Sequence, residues 1–129
     1  MTGTPNDLIK YRIERFFHTL REAKTMMDNE FWNASVNRIY YSCYYVVSAA
    51  LLSNNIITSS HKGIRQMFGL HFVHKWLVSK DDGRFFADLY DRRQTGDYDD
   101  FISYDRAAVL TLYQQAEGFI SRVSGLISS

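Results

Sequence analysis

Between Glu30 and Ser53 the chain is apolar or aromatic on nearly every side, over a length of about six helical turns. Ala34, Val36, Ile39, Tyr40, Tyr41, Tyr44, Tyr45, Val46, Val47, Ala49, Ala50, Leu51 and Leu52 dominate it, with Asn33, Asn37, Arg38, Ser42 and Ser48 among the polar interruptions. A helix with so little polar surface must be surrounded by other elements. The single proline, Pro5, falls in a short polar leader, so nothing further along forbids long helices.

The flanking segments supply the partners. Leu8, Ile13, Phe16, Phe17, Leu20 and Ala23 form a stripe near helical spacing, which predicts a first helix from about Leu8 to Asp28. Asn29 is placed to cap the central helix, and Ser60 to cap a short third helix through Ile64, Met67, Phe68 and as far as Phe72. A loop-like stretch with Trp76 and Leu77 leads to Asp81-Asp82. A fourth helix then carries Phe85, Phe86, Leu89 and Tyr90 up to Arg92-Arg93, with Gly96 as its C-terminal cap. A last helix begins at Ser103 or Asp105, with Ala108, Val109, Leu112, Ala116, Phe119, Ile120, Val123 and Ile127 inward. No repeat, linker or strand signal intervenes. The expected fold is all-α, an antiparallel bundle of four to five helices, one domain over residues 1–129 with its core at about 8–127.

Composition narrows the function classes. A net charge of +1 gives no global case for nucleic-acid binding. Basic residues gather in the first forty positions and acids between Asp81 and Asp105, patches that more often pair within a fold or across a dimer. Cys43 is the only cysteine, so no disulfide within the chain is expected. The first twenty residues are charged and no apolar run has the length of a membrane span, which points to a cytoplasmic protein without a membrane segment.

Three groups could carry chemistry. Arg93, Asp97 and Tyr98 read either as a capped helix end or as a phosphate or RNA-backbone site, since a guanidinium is a permanent forked donor. Asn37, Arg38 and Tyr41 lie within one turn of the apolar helix. Arg38 there requires an acidic partner, with Asp97 the candidate, an exposed position, or a place on a cleft. His61, His71 and His74 invite a metal reading, but no Cys or Glu-x-x-His pattern accompanies them, and no metal or cofactor is expected. His61 follows Ser60 at a helix start, where it could serve as surface, cap or site residue. Phe72, Trp76 and Phe101, in or near loop-like positions, suggest an interface.

Ala34-Ser35-Val36-Asn37-Arg38-Ile39-Tyr40-Tyr41, Ala49-Ala50-Leu51-Leu52, His61-Lys62-Gly63, Phe68, Phe72 and Arg93-x-x-x-Asp97-Tyr98-Asp99-Asp100 together resemble the HEPN superfamily (higher eukaryotes and prokaryotes nucleotide-binding), and within it the small stand-alone prokaryotic members. The resemblance implies a helical bundle, usually a homodimer. Its usual partner is a small nucleotidyltransferase in a toxin–antitoxin pair, and its ligand a nucleotide or RNA. Many relatives are metal-independent ribonucleases using an Arg-x(4–6)-His motif, with arginine on the scissile phosphate and histidine in acid–base work. Here Tyr98 stands where that histidine is expected, and a phenol with a pKa of about 10 is a poor base at neutral pH. On the resemblance Arg93 and Tyr98 are the candidate catalytic pair, and Asn37, Arg38, Tyr41, His61 and Asp97 the candidate ligand-binding set. The expected role is a nucleotide- or RNA-phosphate-binding and partner-binding module, with a metal-independent endoribonuclease toxin as the alternative.

Overall fold

In a computed structural model the described residues are 4–98 and 103–128, with the side chains of residues 93–98 left outside the description. Five helices follow in order: α1 (Pro5–Asp28), α2 (Trp32–Ser53), α3 (His61–Phe68), α4 (Lys80–Tyr98) and α5 (Arg106–Ser124). Among the described residues there is no strand, and the chain is an all-α bundle. A π-helical turn, Gly69–Val73, extends α3, with the His74 N–H donating to the Gly69 carbonyl at 2.8 Å.

Helix α1 starts three residues earlier than its apolar stripe suggests. The Thr4 hydroxyl accepts from the Asp7 N–H at 3.1 Å, and the Asp7 carboxylate accepts from the Thr4 N–H at 3.1 Å. Pro5, expected in a leader, occupies the first turn of α1, where its missing N–H costs nothing. The Thr4 hydrogen bonds hold the Asp7 carboxyl below its ordinary pKa, backbone N–H first. Asn29 does not cap α2. It ends α1, its side-chain amide donating to the Thr25 carbonyl at 2.8 Å, and Phe31 stands at the start of α2 without a side-chain cap. Between them Glu30 takes φ 62°, which turns the chain within three residues. Gly96 is likewise not a cap, because α4 continues through it to Tyr98. Asp105 caps α5, accepting from the Ala108 N–H at 2.9 Å.

Helix α2 is the axis of the bundle. Ile39, Tyr40, Cys43, Val46, Val47, Ala49, Ala50 and Leu51 are fully buried, enclosed by α1, α3, α4 and α5. Phe68, Phe72, Phe86 and Phe119 complete the core. Phe72, read from sequence as an interface aromatic, is 2% exposed and packs edge-on against Phe68 at 5.9 Å. The π-turn rotates it inward. Trp76 is 77% exposed, and Phe101 lies outside the described residues. Among the described residues no helix is long and apolar enough to cross a membrane.

Two local predictions arise here. The Ser60 hydroxyl accepts from the Gly63 N–H at 2.9 Å, and a Cβ at Gly63 would collide with Thr58 Oγ1 and lie 2.8 Å from Ser60 Oγ. Gly63→Ala should therefore cost about 1–2 kcal/mol in denaturant unfolding, despite alanine's better helix propensity. A stabilised Gly63→Ala protein would refute this packing argument. Burial pushes the Cys43 thiol far above its ordinary pKa of 9.0. A raised folded pKa stabilises the fold below the unfolded value and loses that contribution as pH rises, because only the unfolded thiol ionises. Stability should fall by about 1.4 kcal/mol per pH unit above roughly pH 9, and Cys43→Ala should flatten that slope in chemical unfolding at stepped pH.

Candidate functional site

Along the buried α2, one stripe stays partly uncovered: Asn37, Arg38, Tyr41, Tyr44 and Tyr45. Their spacing of three, four and seven puts them on one side of the helix. The other elements close over most of the rest of α2 and leave this strip half-buried, polar and aromatic.

Arg38 is held on three sides. Its Nε and Nη2 donate to Asn37 Oδ1 at 3.0 and 2.6 Å. Its Nη1 lies 3.5 Å from Glu22 Oε1, and the guanidinium sits 5.2 Å from the centre of the Tyr41 ring. Glu22 of α1 is thus an acidic partner of Arg38, and the side chain of Asp97, the candidate read from sequence, lies outside the described residues. Sequence could not reveal this because the partner is fixed by the register of α1 against α2.

His61 opens α3 and points back at α2. Its Nδ1 lies 2.8 Å from the Tyr40 hydroxyl, its ring stacks on Tyr44 at 4.4 Å, and Tyr41 meets it edge-on at 5.6 Å. Tyr40 is fully buried, so its hydroxyl requires a partner, and His61 supplies one. When Tyr40 donates to Nδ1, the neutral imidazole carries its proton on Nε2. Ser60 caps α3 one residue before, which fixes where the ring begins.

Helix α4 forms the next wall. Tyr90 meets Tyr40 edge-on at 6.2 Å, and Arg65 of α3 lies 4.9 Å from the Tyr90 ring centre. Arg65 also pairs with Asp91 at 3.5 Å. Arg93 and Asp97 stand three and seven residues beyond Tyr90 in the helical backbone, on the same side of α4. The side chains of Arg93, Asp97 and Tyr98 lie outside the described residues. Asn37, Arg38, Tyr41 and His61 are therefore gathered on one surface, with the backbone of the Arg93 motif continuing α4 from it. His71 and His74 belong to the π-turn and its end, away from this set. Among the described residues no group of three or more His, Cys, Asp or Glu is placed to hold a metal ion.

Sequence reasoning missed Tyr44, Tyr45, Arg65 and Tyr90 as members of this surface. The signal lay in α2 itself, where Arg38, Tyr41 and Tyr45 recur at helical spacing within an otherwise sealed pattern.

The HEPN domain family model matches residues 9–126, spanning all five helices. The chain belongs to the HEPN family. A UPF0332 protein of Thermotoga maritima is 35% identical to it over 93% of this chain and 91% of its own length. Two proteins of Methanocaldococcus jannaschii are also similar. "Putative toxin MJ0142" is 28% identical over 91% of this chain and 80% of its own length. "Putative toxin MJ0605" is 30% identical over 89% and 85%. In this HEPN domain the matched range takes in the α2 stripe, the α3 start and the Arg93 segment of α4.

Proposed function

We propose that this HEPN domain is a phosphate-binding and partner-binding module of toxin–antitoxin type, cognate to a small nucleotidyltransferase. The observation that carries the reading is the convergence of Asn37, Arg38, Tyr41 and His61 on the uncovered strip of α2, beside the helix that bears Arg93. Arg38 offers a guanidinium over an aromatic ring, and His61 offers an imidazole stacked on Tyr44. Together they suit a nucleotide: charge for its phosphate and π faces for its base. The toxin names of two relatives support the same class. A homodimer fits the exposed Phe17, Phe31 and Trp76, and light scattering over a concentration series should return twice the chain mass.

Calorimetric titration with 5′-AMP tests the site. Arg38→Gln should weaken binding about tenfold, the loss of one charge-assisted contact, with the helical circular dichroism unchanged. Unchanged affinity would place the nucleotide elsewhere. Co-expression with a nucleotidyltransferase encoded beside the chain should give a complex that co-elutes.

His61 favours a second reading, a metal-independent endoribonuclease. With its Nδ1–H donating to the Tyr40 hydroxyl, His61 would take the proton of an RNA 2′-hydroxyl on Nε2, the freed oxygen would attack the adjacent phosphorus to give a cyclic phosphate, and the 5′-oxygen would leave with a proton from water. Arg93 would stabilise the charge developing on the phosphate. RNA cleavage in EDTA that disappears in both Arg93→Ala and His61→Gln supports this. No cleavage by the unaltered protein sinks it.

A further inference from the structure

Trp76 stands where a helix-ending turn ordinarily calls for glycine. The Leu77 N–H donates to the Phe72 carbonyl at 2.9 Å and the Trp76 N–H to the Val73 carbonyl at 3.1 Å, the paired bonds that close a helix through one left-handed residue. That residue is Trp76, with φ 62°. Left-handed backbone is costly for any residue with a Cβ and nearly free for glycine. Such strain persists where packing or function offsets it. Here packing offsets little. The indole is 77% exposed and its N–H has no hydrogen-bond partner among the described residues, while the Lys80 ammonium lies 5.7 Å from its ring centre. Two kinds of residue share the connection between α3 and α4 with it. Leu70 and Leu77 are about half exposed. Lys75 and Lys80 are exposed and have no carboxylate partner among the described residues. The two acids that follow are engaged, Asp81 by Arg84 at 3.2 Å and Asp82 by Arg122 at 2.7 Å.

We infer that the turn carrying Lys75, Trp76, Leu77 and Lys80 docks on the surface of an anionic lipid bilayer. The inference stands apart from the nucleotide reading, since none of these residues belongs to that site. The partner follows from the grouping. An indole settles at the boundary between headgroups and acyl chains, with its ring in apolar surroundings and its N–H still wet. Leucines beside it enter the same boundary, and lysines without acids meet the negative headgroups. A bilayer yields around a projecting ring, whereas a protein partner needs a pocket already shaped to it. A nucleic-acid strand would stack on the ring and meet the lysines but leave both leucines in water. A second copy meeting it turn to turn would oppose four lysines.

Co-sedimentation with vesicles of phosphatidylglycerol and phosphatidylcholine in equal parts, beside vesicles of phosphatidylcholine alone, tests this, with tryptophan emission read on the same samples. The expected result is binding to the anionic vesicles with a blue shift of the emission, and binding at least tenfold weaker without phosphatidylglycerol. Trp76→Gly should melt no lower than the unaltered protein, because glycine relieves the left-handed backbone. It should nonetheless bind the anionic vesicles at least tenfold more weakly and lose the shift. Lys75→Gln/Lys80→Gln should weaken binding about 25-fold, two lysines at roughly fivefold each. That pair lies on the surface and carries the test should the glycine variant unfold. Failure of the unaltered protein to sediment with the anionic vesicles overturns the inference. So does undiminished binding by Trp76→Gly, or equal binding to both vesicles. A lower melting temperature for Trp76→Gly would make the ring a part of the fold and overturn the argument from strain. Light scattering that shows Trp76→Gly splitting a dimer, with no vesicle binding by the unaltered protein, would overturn it in favour of a contact between copies.

Discussion

Phe119→Ala should lower the unfolding free energy by about 4 kcal/mol, the middle of the range for an aromatic deleted from a core. Phe119 is fully buried on α5 and is the ring through which α5 meets α3 and α4. It stacks on Phe86 at 5.8 Å and tilts against Phe68 at 5.7 Å and Phe85 at 5.4 Å. Removing it takes the shared face from three other aromatics at once, and three stiff rings cannot collapse into the gap. A domain of ordinary stability holds about 5–15 kcal/mol, so the variant stands near the edge of folding. Urea unfolding measures the loss. Phe17→Ala is the control: Phe17 stacks on Phe16 at 4.3 Å but is 59% exposed, and its removal should cost less than about 1 kcal/mol. Equal losses in the two variants would mean that the Phe68–Phe86–Phe119 cluster is not what joins α5 to the rest.

Much of this cluster is legible in the sequence, because Phe85, Phe86, Leu89 and Val109, Leu112, Ala116, Phe119 recur at helical spacing. The sealed character of α2 is equally plain, and with it the bundle. Element ends were harder. Thr4-Pro5-x-Asp7 is a capping signature, yet it sits before any apolar stripe, so periodicity alone starts α1 at Leu8. Gly96 reads as a stop, but a glycine also continues a helix at a cost of about 1 kcal/mol when its surroundings favour it. Of the candidate site, the local members Asn37, Arg38 and Tyr41 could be read within one turn. The partners could not, because Glu22, Tyr40 with His61, and Arg65 with Asp91 meet only through the packing of one helix on another.

The second large effect is expected at Arg122→Ala, about 2–3 kcal/mol of lost stability, against about 1 kcal/mol for Asp82→Ala. The asymmetry comes from burial. The Asp82 side chain is 5% exposed and that of Arg122 57%. Arg122 Nε reaches both carboxylate oxygens at 3.1 and 3.0 Å, and Nη2 adds a bond of 2.7 Å. The guanidinium lies flat over Gly118, where a Cβ would come within 3.1 Å of Nη1, so that glycine makes room for the pair. Removing arginine strands a buried carboxylate, whereas removing aspartate leaves a cation that water can reach through an open cavity of ≈ 710 Å³ lined by Trp76, Lys80 and Asp81. Exposure of Arg122 moderates the first loss, since solvent already screens half of the pair. The Asp82 carboxylate also sits in the first turn of α4, where the helix dipole favours an anion. That support persists in the variant and keeps the cost below that of a fully orphaned charge. In the double variant the stranded charge is gone, so it should be no less stable than Arg122→Ala alone, and a urea-unfolding cycle over the four proteins measures the coupling. Additive losses would show that the pair is held together by the fold and does not itself hold α5 to the start of α4.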